Sequence, residues 1–183
     1  MSLKASATAD DLYDVSEGQK AEIVNGKVVL MSPAGAAPNF AGGEIFASLR
    51  EFSRRTKFGR AVTDNAGFKV DLPDRGSFSP DAAFYVGEGG GMKFFEGAPV
   101  FAAEVRSEND YGSRAERNIA RKIADYFAAG TEVVWDVDLL GQDTITVHRV
   151  ADPDRPKIYR RGEIAEAEPA VPGWTMPVDD LFD

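Results

Sequence analysis

Apolar and polar positions follow two different rhythms along this chain, and the switches between them mark its elements. Glu22-Ile23-Val24 and Lys27-Val28-Val29-Leu30-Met31 are short apolar-rich runs joined by Asn25-Gly26. That pair accepts positive φ at both centres of a tight turn, so the stretch reads as a β-hairpin. The breaker-rich segment Ser32-Pro33-Ala34-Gly35-Ala36-Ala37-Pro38 follows as a loop. Phe40, Ile45, Phe46, Leu49 and Phe52 then recur at helical spacing, which predicts an amphipathic helix from about 39 to 57. Three strands are expected next: Arg60 to Val70, Pro80 to Val86 and Pro99 to Val105. A second helix, Ser113 to Ala129, buries Ile119, Ile123, Tyr126 and Phe127 and stops at Gly130. Glu132 to Asp138 and Asp143 to Val150 read as further strands. The fold class is therefore α/β, a mixed β-sheet flanked by helices, with an added N-terminal β-hairpin and C-terminal strands. Residues 1–183 are expected to form a single domain, with 1–19 as an acidic N-terminal arm or helix.

Composition removes several chemistries. The chain has 183 residues and no cysteine, which excludes disulfides, thiolate zinc sites and cysteine nucleophiles. His148 is the one histidine and no Gly-x-Ser-x-Gly turn occurs, so a serine triad has little support. The strand His148 occupies suggests a surface position. No run approaches the roughly 20 apolar residues of a membrane span, and the polar start Met1-Ser2-Leu3-Lys4 lacks a signal-like apolar stretch. A cytoplasmic location and no membrane partner are expected. The Gly87-Glu88-Gly89-Gly90-Gly91 loop lacks the Gly-Lys-Ser/Thr ending of a nucleotide loop and reads as a flexible connection.

The net charge of −9 argues against nonspecific nucleic-acid binding as the main activity. Most of that charge lies near the two ends. Arg50, Arg54, Arg55, Lys57 and Arg60 form one local basic group, and Arg114, Arg117, Arg121 and Lys122 another. Solvated helix faces are the simpler account of both. Phe94-Phe95 and Trp174 are better read as locally packed than as an interface.

Two carboxylates carry the candidate chemistry. Asp81, in Ser79-Pro80-Asp81, begins one expected strand, and Glu104 lies near the end of the next. Antiparallel pairing brings both to the same sheet edge, where oxygen ligands can hold a divalent cation. Alternation puts Ala102, Glu104 and Arg106 on one face. An ion pair of Glu104 with Arg106 or Lys122 accounts for the same letters equally well. Lys122 lies on the flank of the second helix's apolar face, from which its ammonium can pair with the carboxylates, orient a bound water, or simply snorkel.

A series of fragments in order resolves these alternatives by resemblance: Glu22-Ile23-Val24-Asn25-Gly26-Lys27-Val28 leading to Ser32-Pro33, Ser79-Pro80-Asp81, Glu104-Val105-Arg106-Ser107, Lys122-Ile123-Ala124-Asp125-Tyr126 with Gly130, Val134-Trp135-Asp136-Val137-Asp138, and Val171-Pro172-Gly173-Trp174. Together they resemble the Uma-type restriction endonuclease family of the PD-(D/E)XK nuclease superfamily, over roughly residues 20 to 182. The resemblance implies a restriction-endonuclease-like core and Mg²⁺- or Mn²⁺-dependent hydrolysis of phosphodiester bonds in nucleic acid, with DNA the expected substrate. It implies Asp81, Glu104 and the Val105 carbonyl as metal ligands. Two residues after Glu104 stands Arg106 where the superfamily has lysine, so the lysine role passes to Lys122 and Arg106 is left to contact phosphate. Glu22 adds a further carboxylate. Asn39 stands where similar proteins often carry histidine. Cleavage of both strands of a duplex would favour a homodimer. The −9 charge and Arg106 support one alternative, a catalytically silent nuclease-fold module acting in partner binding or regulation.

Overall fold

The structure, a computed structural model, describes residues 6–15, 19–89 and 91–182. In chain order it contains α1 (Ala9–Tyr13), β1 (Ala21–Val24), β2 (Lys27–Leu30), α2 (Ala36–Thr56), β3 (Arg60–Thr63), β4 (Phe68–Leu72), β5 (Arg75–Phe78), β6 (Ala82–Tyr85), β7 (Phe95–Glu96) and β8 (Phe101–Val105). There follow α3 (Ser113–Ala128), β9 (Val133–Asp138), β10 (Thr144–Arg149), β11 (Lys157–Arg160), β12 (Ile164–Glu166), β13 (Thr175–Pro177) and a 3-10 turn at Val178–Leu181.

A six-stranded sheet ordered β11-β10-β9-β8-β6-β3 forms the centre. β8 and β9 are parallel, and α3 is the crossover that such a pair requires. One face packs on α2, where Ala41, Ile45, Leu49 and Phe52 meet Ala82, Phe84, Phe101 and Ala103. The same face takes the C-terminal β12-β13 hairpin through Trp174, which stacks on Trp135 at 4.9 Å between centroids and donates Nε1–H to Ser48 Oγ at 3.0 Å. On the opposite face Ala83, Tyr85, Ala102 and Val134 pack against Phe68 and Phe78 and against Ile123 and Tyr126 of α3. Strand alternation divides the inward side chains between these two apolar layers.

Three sequence expectations change. The N-terminal hairpin is present, with Asn25 and Gly26 at φ 51° and 65°, but it belongs to a second sheet, ordered β2-β1-β5-β4-β7. The single strand expected over Arg60 to Val70 breaks at Asp64-Asn65, where Asn65 adopts φ 64° and Asp64 Oδ1 accepts the Asn65 N–H at 2.7 Å. A short amide-capped turn of this kind suits Asp-Asn. It sends β3 to the central sheet and β4 to the other. The unforeseen strand β5 has a polar pattern, Arg-Gly-Ser-Phe, because its buried polar side chains have partners: Ser77 Oγ accepts the Ile23 N–H at 2.8 Å and Arg75 pairs with Glu22.

Smaller differences are local. α2 begins earlier than expected and takes Pro38 into its first turn, where a missing N–H costs nothing. α3 ends as expected, with Gly130 at φ 105°. Trp174 is buried, and Phe95 stacks on Phe68, so these aromatics pack locally. His148 is half-buried, and burial lowers its pKa. Of the N-terminal arm, α1 covers five residues, while 16–18 lie outside the described residues, as does Gly90 of the glycine loop.

Candidate functional site

The site lies where the second sheet meets one end of the central sheet. Asp81 immediately precedes β6. Its N–H donates to the Ala103 carbonyl at 3.1 Å, and Ala82 pairs with Ala103, so the antiparallel register sets Asp81 beside Glu104. Asp81 Oδ2 accepts the Val105 N–H at 2.8 Å, which fixes the carboxylate from the strand side. From α2, Gly42 comes so near that a Cβ there would lie 3.4 Å from Asp81 Cβ. Any longer side chain would press on the site.

α3 supplies the next layer. Lys122, Asp125 and Tyr126 share one helix face by their three- and four-residue spacing. Lys122 Nζ donates to Glu104 Oε2 at 2.8 Å and lies 3.0 Å from Glu22 Oε1. The Tyr126 hydroxyl donates to Glu104 Oε1 at 2.6 Å, and its ring stacks on Phe78 with centroids 3.9 Å apart. Glu22 is buried and also receives Arg75 Nη1 at 2.8 Å and the Ser79 N–H at 2.9 Å. Arg75 Nε in turn donates to Asp125 Oδ2 at 2.8 Å. On the other flank, Lys20 Nζ donates to Asp81 Oδ1 at 3.0 Å and to Asp64 Oδ1 at 2.6 Å.

The electrostatics follow from this layout. Burial, then the charges of Asp81 and Glu22, raises the Glu104 pKa against the opposing pull of Lys122. Glu22 meets the same burial, but Lys122, Arg75 and the Ser79 N–H overcome it and hold its carboxyl below the ordinary range. Lys122 is half-buried, yet Glu104 and Glu22 keep it protonated. Glu22 and Lys122 thus hold each other in their charged forms, while burial beside Asp81 and Glu22 outweighs Lys122 at Glu104.

The family signature described as "Putative restriction endonuclease", Uma2, matches residues 8–179. The chain belongs to the Uma2 family. Its fold is similar to the crystal structure of a putative nuclease belonging to DUF820 from Anabaena variabilis, with a TM-score of 0.75 and 16% identity, covering 96% of this chain and 97% of that one. No curated protein sequence matches the chain. The Uma2 core here is restriction-endonuclease-like: a central mixed sheet between helices, with a second sheet closing one end.

Within this Uma2 chain the sequence-derived residues separate into two groups. Asp81, Glu104, Lys122 and Glu22 come together, and Val105 joins through its amide. Arg106 does not. Its Nε donates to Asp136 Oδ1 at 2.7 Å and its Nη2 to Asp136 Oδ2 at 2.6 Å, while Nη1 reaches Glu116 Oε1 at 2.5 Å. Asp136 is the register neighbour of Glu104 on β9 and is buried, so it draws the guanidinium away from Asp81. Residues that the sequence reading left out also enter the Uma2 site. Tyr126 reads as core from its helical spacing alone, although it sits one turn beyond Lys122. Lys20 lies two residues before Glu22, on the same side of the β1 line, a spacing that could have flagged it. Arg75 and Asp64 carried no local signal.

The donors that face each other suit a hard divalent cation, since all are oxygens. Among the described residues no three acidic or histidine side chains converge as a closed cage. Asp81 and Glu104 instead stand side by side as an open pair of oxygen donors, and sites with few protein ligands are ones that Mg²⁺ completes with water and phosphate.

Proposed function

We propose that this chain is a metal-dependent endonuclease that hydrolyses phosphodiester bonds of DNA, with Asp81, Glu104 and the Val105 carbonyl holding Mg²⁺ or Mn²⁺. The observation that carries this reading is the pairing of Asp81 and Glu104 on adjacent strand ends, with the Lys122 ammonium 2.8 Å from Glu104. The metal would supply Lewis-acid activation of water and neutralise charge on the phosphate. Lys122 stays a cation, so it orients and stabilises charge rather than accepting a proton. Glu22 holds Lys122 in place from behind. Tyr126 fixes the rotation of the Glu104 carboxylate, leaving one lone pair on each oxygen free for a ligand. Exposed Arg114, Arg117 and Arg121 extend along the same helix as Lys122, where they would contact backbone phosphates remote from the cleaved bond.

The test is Mn²⁺-dependent cleavage of plasmid DNA by wild type, Asp81→Ala and Glu104→Ala. Each variant is expected to lose cleavage by at least about a hundredfold. Activity surviving in both sinks the assignment.

Arg106 favours one second reading, a nuclease-fold module without catalysis, because the residue at the superfamily's lysine position is committed to Asp136 and Glu116. Calorimetric titration separates the two. A module of that kind takes up no Mn²⁺ at millimolar concentration.

A further inference from the structure

We propose that Lys20 is the resident counter-ion of Asp81: its ammonium holds the carboxylate oxygen that a divalent cation needs and yields that oxygen when the cation arrives, remaining on Asp64. This inference rests on the metal-dependent reading above and concerns a residue that the reading does not use.

The geometry assigns the two oxygens of Asp81 different tasks. Oδ2 is bound by the Val105 N–H, part of the strand itself. Oδ1 carries no bond from the strand: its partner is the Lys20 ammonium at 3.0 Å, a positive charge that opposes a cation approaching this oxygen. The Lys20 side chain is only 15% exposed, yet Asp81, Asp64 and Glu104 keep its ammonium charged against that burial. Lys20 thus sits in the field of both carboxylates proposed as metal ligands, where a metal ion would also be drawn.

Asp64 makes the exchange reversible. Its Oδ1 is the nearer partner of Lys20, at 2.6 Å, and it is anchored by the Asn65 N–H in the β3–β4 turn. An ammonium that leaves Asp81 keeps a fixed carboxylate beside it and pays no full desolvation cost. The Lys20 backbone is also tied down, because its carbonyl accepts the Met31 N–H at 2.8 Å. Only the side chain needs to move.

Charge balance points the same way. The connected groups are the carboxylates of Glu22, Asp64, Asp81, Glu104 and Asp125, facing Lys20, Lys122 and Arg75. Five negative groups against three positive ones leave two charges uncompensated, which one divalent cation matches. With Lys20 on Asp81 the site is strained electrostatically but never bare. A metal must compete for its ligand, so intrinsic metal affinity is weakened.

The test is calorimetric titration of the full chain with MnCl₂, with thermal melts run alongside. Lys20→Met is expected to bind Mn²⁺ about tenfold or more tightly than wild type, and to gain more melting temperature from saturating Mn²⁺. Lys20→Arg keeps the charge and grips two carboxylates more firmly; it is expected to bind Mn²⁺ at least about threefold more weakly and guards against a Lys20→Met chain that does not fold. Lys27→Met removes the same charge from an exposed position on the same hairpin and should leave the affinity within about twofold. Binding by Lys20→Met but not by wild type supports the proposal. Equal Mn²⁺ affinity in wild type, Lys20→Met and Lys20→Arg overturns it and leaves the metal-dependent reading standing. No Mn²⁺ binding by any of them overturns both.

Discussion

The Tyr126 hydroxyl donates a 2.6 Å hydrogen bond to Glu104 Oε1. One residue thus belongs to two systems: its ring closes the core against Phe78, and its oxygen orients a carboxylate at the site. Tyr126→Phe keeps the first and deletes the second. Thermal unfolding should show a loss of only about 1 kcal/mol. Mn²⁺ affinity, read by calorimetry, should fall about tenfold or more, the usual cost of removing a group that orients a metal ligand.

Glu22 gives the chain a predictable pH dependence. Its carboxyl is held below the ordinary value of 4.5 by Lys122 and Arg75 acting against burial. A depressed carboxylate stabilises the fold above its unfolded pKa, and that contribution disappears as pH falls through the lower, folded value. Glu22→Gln should therefore cost about 3 kcal/mol at pH 7, since it leaves buried cations undercompensated. The gap between wild type and variant should close progressively below about pH 4.5. Denaturant titrations from pH 3 to 7 measure it; a gap independent of pH would mean that Glu22 is not the charged partner.

Arg106→Ala separates a structural from a phosphate-contacting role. The guanidinium neutralises buried Asp136, so its removal should destabilise the chain by about 3 kcal/mol. Mn²⁺ affinity should stay within about twofold of wild type. An unchanged melting temperature with a raised KM for DNA would instead put Arg106 on the substrate.

The pairing of Asp81 with Glu104 was legible because it depends on two adjacent strands and on period-two alternation, both local properties of sequence. Lys122 was legible as a flank residue of a strongly amphipathic helix. Lys20 was not, because its partner Asp81 is 61 residues away and the two meet only through docking of a second sheet. That sheet was itself hidden: Arg75 and Ser77 make β5 look like a polar loop until Glu22 and the Ile23 amide are seen to satisfy them. The partners of Arg106 were hidden for a related reason. Alternation put it on the face of Glu104, but its pairing with Asp136 depends on the β8–β9 register, which no pattern within β8 encodes.

Trp174 tests how far the C-terminal hairpin supports the rest. Its ring stacks on Trp135 and its Nε1–H reaches α2 at Ser48. Trp174→Ala should cost about 3 to 5 kcal/mol by chemical denaturation. Because α2 passes directly over Asp81 at Gly42, Mn²⁺ affinity should fall as well, although Trp174 acts through Trp135, Phe101 and Ser48.

Neither sheet carries a whole site. The central sheet and α3 bring Asp81, Glu104 and Lys122, while Glu22 and Lys20 arrive only on the line of β1. Without the second sheet Lys122 would keep Glu104 but lack its other carboxylate, and Asp81 would lack its ammonium. The seam between the sheets therefore works as a clasp: the carboxylates come with the central sheet, and the second sheet adds the two residues, Glu22 and Lys20, that brace Lys122 and occupy Asp81.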